Sequence, residues 1–198
     1  MCFDAESSRN AFILNFMLST ILLFGNSLDK WVAFFSISFS LIQLLEYKIW
    51  SSTTEEENMK WTSLVEPALW LQTIVQTGSA IWATKENTTI LQILLSIMIY
   101  KFFTTKPSKD KSYKGKGGHL VWYNDDAKGV FGNSTSGLIY LAGLFIPLYL
   151  GLPSTLWSLM YGTFSFAFLY NKYNATQEFS SMWCIYGTLY PLVRLISR

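Results

Sequence analysis

Seven stretches of this chain run for about the length of a membrane span with almost no charge, and the polar residues collect between them. They cover 11–25, 31–50, 61–82, 88–103, 137–152, 154–170 and 179–196. A helix crosses the hydrocarbon of a bilayer with about 20 mostly apolar residues, and in lipid every backbone group has to be bonded within its own segment or a closed barrel. The runs do not alternate as the short strands of a transmembrane barrel do, which leaves helices. Charged residues make up 14% of the chain, against about 25% in a soluble domain. The sequence therefore predicts an all-α, polytopic membrane protein. It is read as one membrane domain, a seven-transmembrane-helix bundle of four helices, a long basic loop over 104–136, and three helices.

Local signals place the boundaries. The first run ends at Gly25-Asn26 and is expected to borrow residues from before Ala11. No small-residue cleavage site clearly follows it, so it reads as a retained helix and not a signal peptide. Glu66-Pro67 opens the third run, where proline is tolerated in a first turn, and Pro147 predicts a kink in the fifth. Many of the eight Trp and eleven Tyr lie near run ends, as interfacial aromatic belts require.

With seven spans, the N-terminus and the second, fourth and sixth loops share one side. That side carries eleven Lys and Arg, including Lys48, Lys106, Lys109, Lys111, Lys114 and Lys116, against Lys30, Lys85, Arg194 and Arg198 on the other. The positive-inside rule then puts the N-terminus and the basic loop in the cytosol, with the C-terminus opposite. Glycosylation sequons at Asn87, Asn133 and Asn174 cannot all lie on one side, and the latter two oppose this orientation; the charge count is given more weight. The loop lysines are expected to meet either anionic lipid headgroups or solvent alone. A net charge of +2 does not argue for nucleic acid as a partner.

The same topology gathers the chemistry. Cys2, Glu46, His119 (the only histidine) and Cys184 fall near one membrane face, with Asp4, Glu6 and Glu66. Two thiols, an imidazole and a carboxylate are ligands that zinc accepts, and a cytosolic face would keep the thiols reduced. The plainer readings are packing cysteines, a loop-capping histidine, or, in the inverted topology, a Cys2–Cys184 disulfide. Glu46 and Glu66 would face the bundle interior or a water-filled cavity if they lie within the membrane. If instead they sit hydrated at its surface, Lys48 could pair with one of them. Gln43, Gln72, Gln76 and Gln92 are expected to bond helix to helix.

Met1-Cys2-Phe3, Gln43, Glu46 and Trp50, Gly118-His119-Leu120, and Ser181, Trp183 and Cys184 together resemble a family of uncharacterised multi-span membrane proteins. Its members begin Met-Cys-Phe-Ser-Ala and occur in bacteria, protists and large DNA viruses. The resemblance reaches from end to end through short motifs only, and Asp4 stands where the family has serine. It implies no activity, but it marks Cys2, Glu46, His119 and Cys184.

The leading expectation is binding or transport of a small solute or ion through the polar cluster of Gln43, Glu46, Glu66 and His119. A membrane-embedded metal hydrolase, with zinc on Cys2, Glu46, His119 and Cys184, is the first alternative; a non-catalytic scaffold or receptor is the second. Seven helices also suit the sugar-transporter and sorting-receptor bundles built of two triple-helix units, though their duplicated proline-glutamine motif is missing. One histidine cannot supply the three of the ceramidase and progestin-receptor superfamily. The last run has no lysine for a retinal Schiff base, and neither a potassium filter nor a phosphate-binding loop is present.

Overall fold

The computed structural model describes residues 4–85, 87–106, 109–122, 134–174 and 187–197. Among these the chain is mostly helical: α1 (Ala5–Leu22), α2 (Ser27–Trp50), α3 (Glu55–Thr62), α4 (Val65–Thr84), α5 (Thr88–Thr104), α6 (Ser134–Gly151), α7 (Ser154–Asn174) and α8 (Leu189–Ile196). A two-stranded antiparallel ribbon, β1 (Tyr113–Lys114) and β2 (Leu120–Val121), lies between α5 and α6. By length and apolarity together, α2 is the one helix among the described residues that meets the requirements of a membrane crossing. Apolar but shorter are α5 and the stretches Thr135–Gly151 and Ser158–Leu169.

The helix ends follow from capping chemistry. Asp4 caps α1, its carboxylate accepting the Ser7 N–H at 2.7 Å, so the helix starts six residues before the apolar run. Asn26 and Asp29 form a reciprocal capping box at the start of α2, with bonds of 2.9 and 3.0 Å. Each satisfies a backbone donor that a helix start leaves open.

Helix α4 is the hub, packing against α2, α5 and α6, while α1 lies along α2 and α8 touches α1, α2 and α7. Gln76 of α4 accepts from Trp31 Nε1 of α2 at 2.9 Å and donates to the Leu144 carbonyl of α6 at 3.4 Å. Tyr140 of α6 donates to Gln72 at 2.8 Å. These two glutamines do bond helix to helix, whereas Gln92 is exposed. Gly151 of α6 lets the chain pass Trp31, since a Cβ there would come within 2.8 Å of the indole ring.

Three expectations need correction. The acidic Glu55-Glu56-Glu57 stretch is not a loop but the first turn of α3, N-capped by Thr54. The run over 61–82 consequently opens at the break between α3 and α4. The segment 104–136 is not a plain polar loop, because it contains the ribbon and buries His119 to Trp122. Arg194, counted above only for its charge, is held inside: its Nε donates to Asp29 Oδ1 at 2.6 Å, with both side chains nearly buried. The first half of the run 179–196 lies outside the described residues.

Asp29 thus accepts from the backbone of Asn26 and from Arg194, tying the start of α2 to α8. Breaking a buried pair on one side strands a charge, at a cost of about 3–5 kcal/mol. Arg194→Ala is therefore expected to lower the midpoint of thermal unfolding in detergent markedly. Adding Asp29→Asn, which keeps an acceptor for the cap, should recover most of that loss. An unchanged midpoint in the single variant would show that the pair does not hold α8 in place.

Candidate functional site

One end of the bundle is built from the close of α2, all of α3, the start of α4 and the ribbon. Ser112, at the foot of the ribbon, is clamped by Asn58 of α3: Asn58 Nδ2 donates to the Ser112 carbonyl at 3.2 Å, and the Ser112 N–H donates to Asn58 Oδ1 at 2.9 Å. The Thr62 and Ser112 hydroxyls lie 2.8 Å apart. Lys111 pairs with Glu55 at the outer edge. In the turn, the Gly115 N–H donates to the His119 carbonyl at 2.8 Å, and Gly118 takes φ 91°, a value glycine adopts without strain.

The ribbon is two-faced. Tyr113, Lys114 and Lys116 are exposed, while His119, Leu120, Val121 and Trp122 are buried. Leu120 and Trp122 join the apolar cluster that holds Ile42 and Ile49 of α2, Val65 and Trp70 of α4, and Tyr140 of α6. Gln43 and Glu46, spaced one turn apart on α2 between Ile42 and Ile49, are fully buried, and none of Gln43, Glu46 and His119 lacks an interaction partner. Glu66, in the first turn of α4, is 8% exposed. The Trp70 indole and the Lys101 ammonium are the groups that act on its carboxylate. Lys101 itself donates to Ser136 at 3.3 Å.

Gln43, Glu46, Glu66 and His119 are therefore all buried, and Ile42, Ile49, Val65 and Leu120 place their neighbourhoods on one cluster. Cys2 and Cys184 lie outside the described residues. Among the described residues no group of three His, Cys, Asp or Glu side chains is arranged to hold a metal. Lys48 does not pair with either carboxylate; its ammonium lies over the rings of Tyr47 and Trp61, at 5.5 and 5.7 Å from their centroids. Asp4, outside the helices, feels the charge of Lys114. Hydrogen bonding by Ser7 is the main cause that holds its carboxyl below the usual range, and Lys114 adds to it. Since α1 packs along α2 across the short turn at 23–26, the start of α1 lies beside the close of α2, at the ribbon's end.

An open apolar cleft of about 410 Å³ lies elsewhere, between α6 and α7, lined by Phe145, Ile146, Tyr149, Leu150 and Tyr161. Compared with protein-family models, curated proteins and solved structures, the chain matches none.

Sequence reasoning missed Asn58, Thr62 and Ser112. Nothing in a polar residue's identity announces a partner 50 or 54 positions away. Asn58→Ala would leave the Ser112 N–H and carbonyl without their amide partner, a loss of about 1–3 kcal/mol. Hydrogen exchange of the amides over 112–122 is expected to speed up by about tenfold for each 1.4 kcal/mol, while α4 keeps its protection. Equal rates in parent and variant would show that the clamp does not hold the ribbon.

Proposed function

We propose that the chain is a polytopic membrane protein that binds or passes a small solute or ion through the buried cluster of Gln43, Glu46, Glu66 and His119. The observation that carries the membrane reading is an inversion on α1. Ser8, Asn15 and Ser19 of that helix are fully buried, while Ile13, Leu14, Phe16, Met17, Ile21 and, just beyond it, Phe24 are 45–88% exposed. In water, such exposure on one helix would forgo on the order of 5–10 kcal/mol, comparable with a whole domain's stability. In lipid it costs nothing. Helices α5 and α7 bury apolar residues yet also turn large apolar side chains outward, Ile90, Ile93, Ile97, Tyr100 and Phe103 on the first and Tyr161, Phe166, Phe168 and Leu169 on the second.

The buried polar residues of α1 and α4 lower the average apolarity of those helices, yet they point away from the lipid. Seven spans, with α1, α2, α4, α5, α6 and α7 followed by the run over 179–196, remain the reading that suits this pattern. The ribbon, α3 and the start of α1 lie together at one end, which supports a common side for the N-terminus and the basic loop. That side is assigned to the cytosol on charge. Carboxylates buried at membrane depth are costly and serve ion or substrate pathways, and Glu46 and Glu66 supply two. The resemblance through Gln43, Glu46, Gly118-His119-Leu120 and Trp183-Cys184 favours the same residues. Zinc on Cys2, Glu46, His119 and Cys184 is the alternative that metal content decides, since near-stoichiometric zinc lost in His119→Ala would favour it.

Two measurements test the reading. With Cys2 and Cys184 replaced by serine, Lys116→Cys and Ser27→Cys are expected to react with a membrane-impermeant maleimide from opposite sides of the bilayer. Labelling of both from one side would end the multi-span topology. In proteoliposomes, uptake of labelled Na⁺, K⁺, chloride or glucose above protein-free vesicles is expected for at least one probe, with a tenfold or greater loss in Glu66→Gln. Uptake of none, with protons also immobile, would end the transport reading.

A further inference from the structure

Two ammonium groups from different helices converge on one indole. Lys48, in the last turn of α2, and Lys60, in the last turn of α3, hold their Nζ atoms 5.7 and 5.4 Å from the centroid of the Trp61 ring. Both distances fall within the range of a cation–π contact. Like charges gathered on one ring also repel each other, so an anion that reaches both of them stabilises the arrangement.

Acidic side chains are at hand, and they do not fill that place. Glu55, Glu56 and Glu57 form the first turn of α3. Glu55 pairs with Lys111, and Glu57 accepts the Thr53 N–H at 3.1 Å. Glu56 stands one helical turn before Lys60, a spacing at which such side chains pair. Yet among the described residues neither Lys48 nor Lys60 makes an ion pair.

The surroundings are those of a membrane boundary. Lys48 lies just inside the end of α2, the helix long and apolar enough to cross, and α4 begins at Val65. On the membrane reading, α3 therefore sits between the ends of two spans, at the depth where indoles and lysines collect. Met59 and Leu64, on either side of Lys60 and Trp61 in sequence, are 38% and 44% exposed. A soluble anion gains nothing from apolar surface beside its site. A phospholipid covers such surface with its acyl chains while its phosphate meets the ammonium groups.

Resting on the membrane reading above, we propose that Lys48, Lys60 and Trp61 bind the phosphate of an anionic phospholipid, with Met59 and Leu64 against its acyl chains. The lipid comes from the leaflet at the ribbon's end. That end is assigned to the cytosol on charge, and the cytoplasmic leaflet is the one that carries anionic lipid. Binding is reversible and makes no covalent bond.

The test uses the full chain in an uncharged detergent. Phosphatidylglycerol or phosphatidylcholine with the same acyl chains is added, and bound lipid is counted by native mass spectrometry. Wild-type protein is expected to hold one phosphatidylglycerol at least tenfold more tightly than phosphatidylcholine. Lys48→Gln with Lys60→Gln should lose that preference and keep the parent's thermal midpoint, and Lys60→Gln alone, at an exposed position, should lose part of it. Lys106→Gln with Lys109→Gln removes the same charge from the basic segment and should leave the preference intact. Equal affinity for the two lipids in the wild type would overturn the proposal, and so would a full preference in Lys48→Gln with Lys60→Gln. An equal loss in both double variants would overturn it in favour of net charge alone, and displacement of the lipid by equimolar glycerol phosphate in favour of a soluble anion. All of these outcomes leave the membrane reading in place. Protein that leaves vesicles in an alkaline carbonate wash would end both.

Discussion

Gln76 joins three helices at once, and the packing of the rest follows from it. Its amide takes the Trp31 indole of α2 and gives to the Leu144 carbonyl of α6, while the neighbouring Thr77 donates to the Gly143 carbonyl at 3.4 Å. Two of the glycines of α6 lie at this contact: a Cβ on Gly143 would come within 2.9 Å of Thr73 and Met98, and one on Gly151 would meet Thr84 and Trp31. Close backbone approach and buried polar bonds are what hold helices together where apolar surface gains little by association. With α4 fixed against α2 and α6 in this way, the start of α4 is fixed as well, and with it Glu66 and the short helix α3 that receives the ribbon.

The two ends of the bundle are closed by different physics. At one, Arg194 and Asp29 make a single charged contact with little exposure, a joint that is strong while dry and weak once water reaches it. At the other, the ribbon is held by an amide clamp on Ser112 and by the insertion of Leu120 and Trp122 into the main apolar cluster. The first joint depends on charge and the second on neutral bonds and apolar area. Conditions that loosen one, such as ionic strength at an opened interface, need not loosen the other.

What the sequence made legible was whatever is decided locally. The apolar runs marked α2 and most of α4 to α7, and Gln72 and Gln76 were recognisable as interhelical hydrogen-bonding groups because an amide inside an apolar run has few other uses. The start of α1 was obscured by Glu6, Arg9 and Asn10, which are polar residues of a first turn and a half capped by Asp4. The ribbon was not legible at all. Its strands are two residues long, too short for alternation to show, and its place is set by Asn58 and Thr62 far away in sequence. The Asp29–Arg194 pair spans 165 positions, and nothing local says that the Asp29 carboxylate has a second oxygen to spare. For the candidate site, Gln43, Glu46, Glu66 and His119 could be nominated from topology, whereas their burial is set by long-range packing, such as that of Leu120 and Trp122 into the cluster of Ile42, Ile49 and Val65.

On the membrane reading proposed above, burial of polar groups and exposure of apolar ones have one cause on α1. A helix whose outward face is Ile13, Leu14, Phe16, Met17 and Ile21 gains nothing from turning that face inward when its surroundings are already apolar, so partner choice falls to Ser8, Asn15 and Ser19. Asn15 is then the residue that sets the register of α1 on α2, because its amide has one carbonyl to find, that of Ser36, and an unbonded amide in hydrocarbon would cost several kcal/mol. Seating α1 there leaves Ser8, Asn15 and Ser19 buried and Ile13, Leu14, Phe16, Met17 and Ile21 outward. The contact that locates the first helix is thus also what decides which of its faces is left outward.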